Sequence, residues 1–185
     1  MPAKKSCRKT AGHWTMKATD KEGGQRIQYA ALPYRRAGIS AVEVLLVTSR
    51  ETRRWVIPKG WPQKRRPPYI SAAREALEEA GVVGRIDRRA IGSYSYRKRL
   101  KGGGLVNCHV QVFALEVGKQ RRTWREKAER TAQWVSSAEA ANLVEEEGLR
   151  EIIRNFLPAE PAKLPASGPV PATSDASILL PRHQR

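Results

Sequence analysis

The 185-residue chain carries 35 Lys and Arg against 18 Asp and Glu, a formal net charge of +17, and 40% of its residues are hydrophobic. This is enough for one domain of ordinary size, and no apolar run reaches the roughly 18–20 residues of a membrane span, so we expect a cytoplasmic protein without a membrane segment. Two cysteines argue against a disulfide scaffold, and the positive charge predicts affinity for polyanions such as phosphate-rich molecules.

Both ends of the chain differ in composition from its middle. Residues 1–24 are polar and rich in Lys and Arg, which predicts a flexible basic tail suited to weak nucleic-acid binding. Residues 158–185 are rich in Pro and Ala, which predicts disorder because such a segment cannot form a packed core. The folded domain is therefore expected over residues 25–157.

Strand and helix signals alternate through this domain and predict an α+β fold. One helix is expected from the Pro67-Pro68 start to a stop at Gly81, and helices after the Ser136-Ser137 cap and over 148–157. A mobile hairpin loop is expected at 97–104. The predicted strands are 27–34, 42–49, 54–58, 91–96, 105–117 and 132–135.

Three glutamates on the first helix call for an explanation in so basic a chain. Glu75, Glu78 and Glu79 stand at i, i+3 and i+4, where like charges destabilise a helix by about 0.2–0.5 kcal/mol per pair. They also lie in its C-terminal half, where the macrodipole disfavours anions. A bound cation would compensate for both effects; the alternative is a solvated acidic helix face. The opposite face, expected to be buried, carries Ile70, Ala73, Leu77 and Ala80.

The stretch PKGWPQKRRPPYISAAREALEEAGV resembles the Nudix box, G-x5-E-x7-R-E-U-x-E-E-x-G-U, in which U is a bulky apolar residue. Gly60 fits the first glycine, and residues 74–82 fit the C-terminal half, with Ala76 as a small stand-in. Arg66 replaces the motif's first glutamate, which leaves the number of bound ions open. The segments EVLLVTSRETRRWVIPKG and AQWVSSAEA look like the diphosphoinositol polyphosphate phosphohydrolase branch, and the PKG triplet is similar to that of diadenosine polyphosphate hydrolases.

The resemblance implies the Nudix fold, an α/β/α sandwich with a mixed β-sheet, and an enzyme that uses Mg²⁺ or Mn²⁺. A further carboxylate is expected from Glu126 or Glu129, and nothing in the sequence separates the two. The residues implied to bind the metal are Gly60, Glu75, Glu78 and Glu79. The residues implied to be catalytic are Arg74, Glu75 and Glu78, with Glu75 as a ligand or as the base that activates water and Arg74 orienting a glutamate.

Basic residues cluster in sequence around the proposed metal site, and Arg and Lys suit phosphate oxygens. Trp61 either stacks on a base or lines the site. The expected substrate-binding residues are Ser49, Arg50, Arg54, Lys59, Lys64, Arg65, Arg66 and Arg97.

Three functions are compatible with these residues. The first is a hydrolase that cleaves a diphosphate linkage in a highly phosphorylated small molecule, such as a diphosphoinositol polyphosphate or a diadenosine polyphosphate. The second is a pyrophosphatase of the same fold for nucleotide sugars, nucleoside triphosphates or RNA 5′ ends. The third is a non-catalytic module that binds polyanions or RNA, which the retained glutamates argue against.

Overall fold

The computed structural model of the chain describes residues 21–22, 25–38, 41–99 and 104–158. The predicted tails lie outside the described residues, apart from a two-residue strand at 21–22 and from Pro158. The elements are β1 Lys21–Glu22, β2 Gln25–Arg36, β3 Val42–Thr48, β4 Trp55–Val56, β5 Lys59–Gly60, α1 Pro68–Ala80, β6 Val82–Arg99, β7 Leu105–Gln120, β8 Ala132–Ser136, α2 Ser137–Leu143 and α3 Glu147–Arg154.

A parallel pair of long strands forms the centre of the sheet. β2 and β7 run side by side in register from the Arg26–Cys108 pair to the Tyr34–Glu116 pair. β3 pairs antiparallel with β2, and β6 pairs antiparallel with β7, which gives the strand order β4-β3-β2-β7-β6. The short strands β1 and β5 add to β2, and β8 adds to β3. Parallel and antiparallel pairs together make this the mixed sheet that was expected.

Helices cover both faces of the sheet. Successive residues of a strand point to opposite faces. On β2, Leu32 accordingly belongs to one core cluster with Ile153 of α3, whereas Ala31 belongs to a second cluster with Ala76 of α1. The α/β/α layering predicted from the sequence is confirmed. None of the described helices is long and apolar enough to cross a membrane.

The face of α1 that packs on the sheet is not the predicted one. Its buried residues are Ser71, Ala72, Ala76, Glu79 and Ala80. Three of the expected core residues are partly exposed, namely Ile70, Ala73 and Leu77. Small side chains at 72, 76 and 80 let the helix approach the sheet closely, and the close approach turns Glu79 inward. The glutamates therefore do not lie on a face opposite to the core.

The ends of α1 follow the predicted signals. The helix begins at Pro68, a position where proline loses no helical hydrogen bond. It ends at Gly81, whose φ of 70° lies in the left-handed region. A Cβ at Gly81 would also lie 2.5 Å from Cε3 of Trp124, so both the backbone conformation and the space require glycine. At α2, the Ser136 hydroxyl accepts a hydrogen bond from the Glu139 amide at 3.2 Å, which identifies Ser136 as the cap.

Strand β6 is much longer than the predicted 91–96. Its first half, residues 82–90, is mostly exposed and rich in arginine, and its register against β7 shifts between Val83 and Gly84 and again between Ile86 and Ala90. Neither alternation nor apolar content signals such a segment, because its strand character comes from pairing with β7. Residues 97–99 of the predicted hairpin loop also belong to β6, and residues 100–103 of that loop lie outside the described residues.

Candidate metal and phosphate site

Glu79 is the most deeply placed of the three helix glutamates, with 6% of its surface exposed. One carboxylate oxygen accepts a hydrogen bond from the backbone N–H of Lys59 at 3.3 Å, and the other pairs with the guanidinium of Arg130. Burial raises the pKa of Glu79, although the positive charges of Arg130 and Lys59 oppose that effect. The Glu79 carboxylate, on the inward face of α1, thus contacts β5, the strand that carries Gly60.

Glu75 lies directly against Gly60. A Cβ at position 60 would lie 2.2 Å from the carboxylate carbon of Glu75, so only glycine leaves room for this side chain. Burial, together with the negative charges of Glu79, Glu78 and Glu126, raises the pKa of Glu75 to about 7, and a hydrogen bond with Gln63 opposes the rise only partly. Among the described residues, Glu75 has no ion-pair partner.

Glu78 is held between two arginines. Arg74, one turn earlier on α1, donates from Nε at 2.6 Å, and Arg125 donates from the loop after β7 at 2.6 Å. Partial burial acts to raise the pKa of Glu78, but these two hydrogen bonds and charges lower it on balance. The contact puts Arg74 beside a glutamate, and its role in orienting that glutamate stays a prediction. Arg74 also donates to Gln63 at 3.4 Å.

The structure distinguishes the two candidates for a further carboxylate. Only 13% of the Glu126 side chain is exposed; it pairs with Arg130 at 2.7 Å and acts on the pKa of both Glu75 and Glu79. The Glu129 side chain is 52% exposed and contacts Arg50 at the rim. Glu126 is therefore the carboxylate that faces the helix glutamates.

These groups fit a hard divalent cation. Glu79 and Glu126 lie close enough to Glu75 for their negative charges to raise its pKa, and the Gly60 backbone is adjacent. Carboxylate and carbonyl oxygens are the ligands that Mg²⁺ prefers. Within the described ranges no three His, Cys, Asp or Glu side chains are already arranged around a metal position. Glu78 and Glu79 instead face arginine side chains.

The predicted phosphate-binding residues separate into several groups. Arg50 reaches the acidic cluster, where its guanidinium lies 3.6 Å from the Glu126 carboxylate. Lys59 extends toward the α2–α3 face of the sheet, where its Nζ lies 5.5 Å from the ring centre of Tyr96. Burial lowers the pKa of Lys59 to about 8, although Glu79 and Glu146 act against this effect. Arg50 is therefore next to the acidic cluster, and Lys59 belongs to β5, the strand that carries Gly60.

Other predicted phosphate ligands lie elsewhere. Arg54 pairs with Glu145 at 2.9 Å and with Glu146 at 3.1 Å, so its charge is already neutralised beside α3. Ser49 forms a tight turn, its hydroxyl 2.6 Å from that of Thr52. Arg97 is exposed, and strand alternation puts it on the opposite sheet face from Lys98. Lys64, Arg65 and Arg66 are exposed in the loop before α1.

Several residues of the site were not found from the sequence. Arg125 and Arg130 neutralise Glu78 and Glu79 from a segment about 50 positions away along the chain. Gln63, which contacts both Arg74 and Glu75, occupies the loop where the motif glutamate is replaced by arginine. The one sequence signal for Arg130 was its spacing of four residues from Glu126, which is typical of an ion pair.

Comparisons with known proteins identify one family. The family profile described as NUDIX domain matches residues 25–156. Nudix hydrolase 12, mitochondrial, of Arabidopsis thaliana is 30% identical over 122 residues, covering 64% of this chain and 60% of that protein. Diphosphoinositol polyphosphate phosphohydrolase 3-alpha of Mus musculus is 30% identical over 106 residues, covering 56% of this chain and 60% of that protein. The matched part thus spans about three fifths of these relatives.

A solved structure shows the same fold. The binary complex of a C. elegans Ap4A hydrolase superimposes with a TM-score of 0.52 at 18% identity, covering 69% of this chain and 92% of that chain. The similarity confirms the predicted fold, a mixed sheet between helices.

Proposed function

The chain belongs to the Nudix family, and we propose that it is a hydrolase that cleaves a diphosphate linkage with the help of Mg²⁺ or Mn²⁺. The observation that carries this proposal is the placement of Glu75, whose carboxylate lies against Gly60 among three other carboxylates and without an ion-pair partner among the described residues. A solvated helix face gives no reason to bury like charges together. A cation-binding site does give one, because a bound cation offsets their repulsion.

The chain's own groups have distinct tasks in this proposal. When bound, a divalent ion supplies positive charge to the phosphate oxygens and makes water more acidic. Glu75 would serve as a ligand or as the general base that accepts the proton lost by water. The ion would be held by Glu75, Glu79 and Glu126 beside the Gly60 backbone, and Arg74 keeps the neighbouring Glu78 in position.

The substrate is proposed to be highly phosphorylated. Arg50 lies beside the acidic cluster, the charge of Glu79 acts on the ammonium of Lys59, and both cations suit phosphate oxygens. Exposed cations in the loop before α1 add positive charge on the approach to the site. The names of the relatives suggest a diphosphoinositol polyphosphate or a diadenosine polyphosphate. A cytoplasmic location stays a prediction.

Product release from a substrate panel tests the proposal. The panel contains a diphosphoinositol polyphosphate, diadenosine tetraphosphate, ADP-ribose and nucleoside triphosphates, each with Mg²⁺ and with EDTA. Glu79→Gln keeps the size of the side chain but removes the charge, so we expect turnover to fall at least a hundredfold. Glu151→Gln, an exposed change on α3, is the matched control. Turnover that is independent of metal, or unchanged in Glu79→Gln, would contradict the proposal.

A further inference from the structure

A groove between β6 and α3 exposes apolar side chains on the sheet face that is turned away from α1. Its volume is about 420 Å³, and its apolar lining comes from Ile91 of β6, Ile152 of α3, and Phe156 and Leu157 after that helix. Three large hydrophobic residues are exposed in the described part of the chain. Two of them belong to this groove, Ile91 at 37% and Leu157 at 88% exposure. Exposed apolar residues that share one groove indicate a surface that binds a partner.

The walls of the groove are held by the packing of α3 on the sheet. Gly92, next to Ile91 on β6, leaves room for Ile152, because a Cβ at position 92 would lie 2.8 Å from Cγ1 of Ile152. On the other wall, Phe156 is 9% exposed, and its ring meets that of Tyr34 edge-on with 4.9 Å between the ring centres. Both walls are thus anchored in the core, and the groove keeps its shape without a bound partner.

The chain itself supplies a segment that fits this groove. Residues 159–185 follow the last described residue, Pro158, which adjoins Leu157 of the groove. The longest run of bulky apolar residues in that stretch is 178–180, hereafter the apolar run, which consists of Ile178, Leu179 and Leu180. Three adjacent aliphatic side chains are complementary to an apolar groove.

The length of chain before the apolar run allows its return to the groove. Nineteen residues, 159–177, separate Pro158 from the run. A flexible chain of this length has a root-mean-square end-to-end distance of about 25 Å. Because the chain leaves the domain beside the groove, such a tether keeps the run near it at an effective concentration on the order of mM. Weak affinity is therefore sufficient for the groove to be filled.

We propose that the apolar run packs into the groove between β6 and α3 of its own chain. Contact with Ile91 and Leu157 removes apolar surface of both partners from water, which is favourable in proportion to the area buried. A segment rich in Pro and Ala cannot form a core of its own. Three aliphatic side chains can nevertheless join a core that the domain already provides. The inference is independent of the proposed function.

Methyl NMR spectroscopy of the full chain, with isotope-labelled Ile and Leu methyl groups, tests the groove. We expect nuclear Overhauser contacts between the apolar run and the methyl groups of Ile91 and Ile152. Leu157→Ser changes a side chain that is 88% exposed, so the fold is kept, and the contacts should weaken at least twofold. Leu105→Ser is the matched control, because Leu105 is also exposed, at 58%, but pairs with Arg99 at the far end of β6.

A second set of variants changes the segment and leaves the groove intact. Serine replacement of the whole apolar run should abolish the contacts and shift the Ile91 methyl signal. A peptide of residues 174–185, added to this variant, should restore the signal. Leu164→Ser combined with Val170→Ser is the matched control, because it removes apolar side chains from the same stretch but outside the run, and the contacts should persist.

Several results would overturn the proposal, and none of them depends on hydrolase activity. The first is a full chain without contacts between the apolar run and the groove. The second is an Ile91 signal that is the same before and after serine replacement of the run, or contacts that persist unchanged in Leu157→Ser. The third is contacts that form only between differently labelled copies in a mixed sample, which would mean that a second chain occupies the groove.

Discussion

Replacing Glu75 with glutamine should stabilise the metal-free protein at high pH. In the folded chain the pKa of Glu75 is raised from 4.5 to about 7, because burial and the neighbouring glutamates disfavour its negative charge. One pKa unit corresponds to about 1.4 kcal/mol, so full ionisation costs about 3 kcal/mol more in the folded than in the unfolded state. Partial exposure reduces the expected effect to about 1–3 kcal/mol.

The sign of the pH dependence follows from the raised pKa. Below pH 4.5, Glu75 is protonated in both states and contributes no difference in stability. Between pH 4.5 and about 7 the unfolded chain releases the proton while the folded chain keeps it, so wild-type stability falls as pH rises. Above pH 7 the loss is complete. Glu75→Gln lacks the ionising group and should avoid this loss.

Urea unfolding in EDTA between pH 4 and pH 8.5 measures the effect. The free energies of unfolding of wild type and Glu75→Gln should agree at pH 4 and diverge by about 1–3 kcal/mol at pH 8, with the variant more stable. Saturating Mg²⁺ should raise the stability of the wild type and close the gap. Glu151→Gln controls for the loss of an exposed carboxylate. A variant that is no more stable than the wild type at pH 8 would refute the reasoning.

Two further substitutions probe the supports of the cluster. Gly60→Ala puts a Cβ 2.2 Å from the Glu75 carboxylate carbon and must displace it, so Mg²⁺ affinity by calorimetry should fall at least tenfold; an unchanged affinity would contradict the placement of Glu75. Arg130→Met leaves Glu79 and Glu126 without their partner, and urea unfolding in EDTA should show a loss of about 3–5 kcal/mol, smaller with Mg²⁺ present. Equal losses with and without Mg²⁺ would argue against a shared site.

Local signals were sufficient for the motif itself. The proline start, the glycine stop and the spacing from Gly60 to Glu79 are all readable along one stretch of chain, and the structure places these residues together. The long apolar strands β2, β3 and β7 were readable for the same reason, since their apolar content does not depend on a partner. The helix ends, the motif and the long strands were therefore predicted from residue spacing and composition within single elements.

Contacts between distant segments could not be read in this way. The inward turn of α1 depends on how closely alanines 72, 76 and 80 let it approach the sheet, which is a property of the packed pair and not of the helix. Arg54 was expected to bind phosphate because it is basic and near the motif in sequence. Its partners, Glu145 and Glu146, are about 90 positions further along, and they neutralise it.

The distribution of arginines explains why an acidic cluster persists in a chain of net charge +17. Arg74 and Arg125 neutralise Glu78, and Arg130 neutralises Glu79, so two of the three helix glutamates are compensated without any metal. Glu75 has a hydrogen bond with Gln63 but no ion pair among the described residues. Of the three helix glutamates, the one without an ion pair in the described part of the chain is the one that lies against Gly60. Because burial and the neighbouring glutamates disfavour its negative charge, a bound cation would gain most at Glu75.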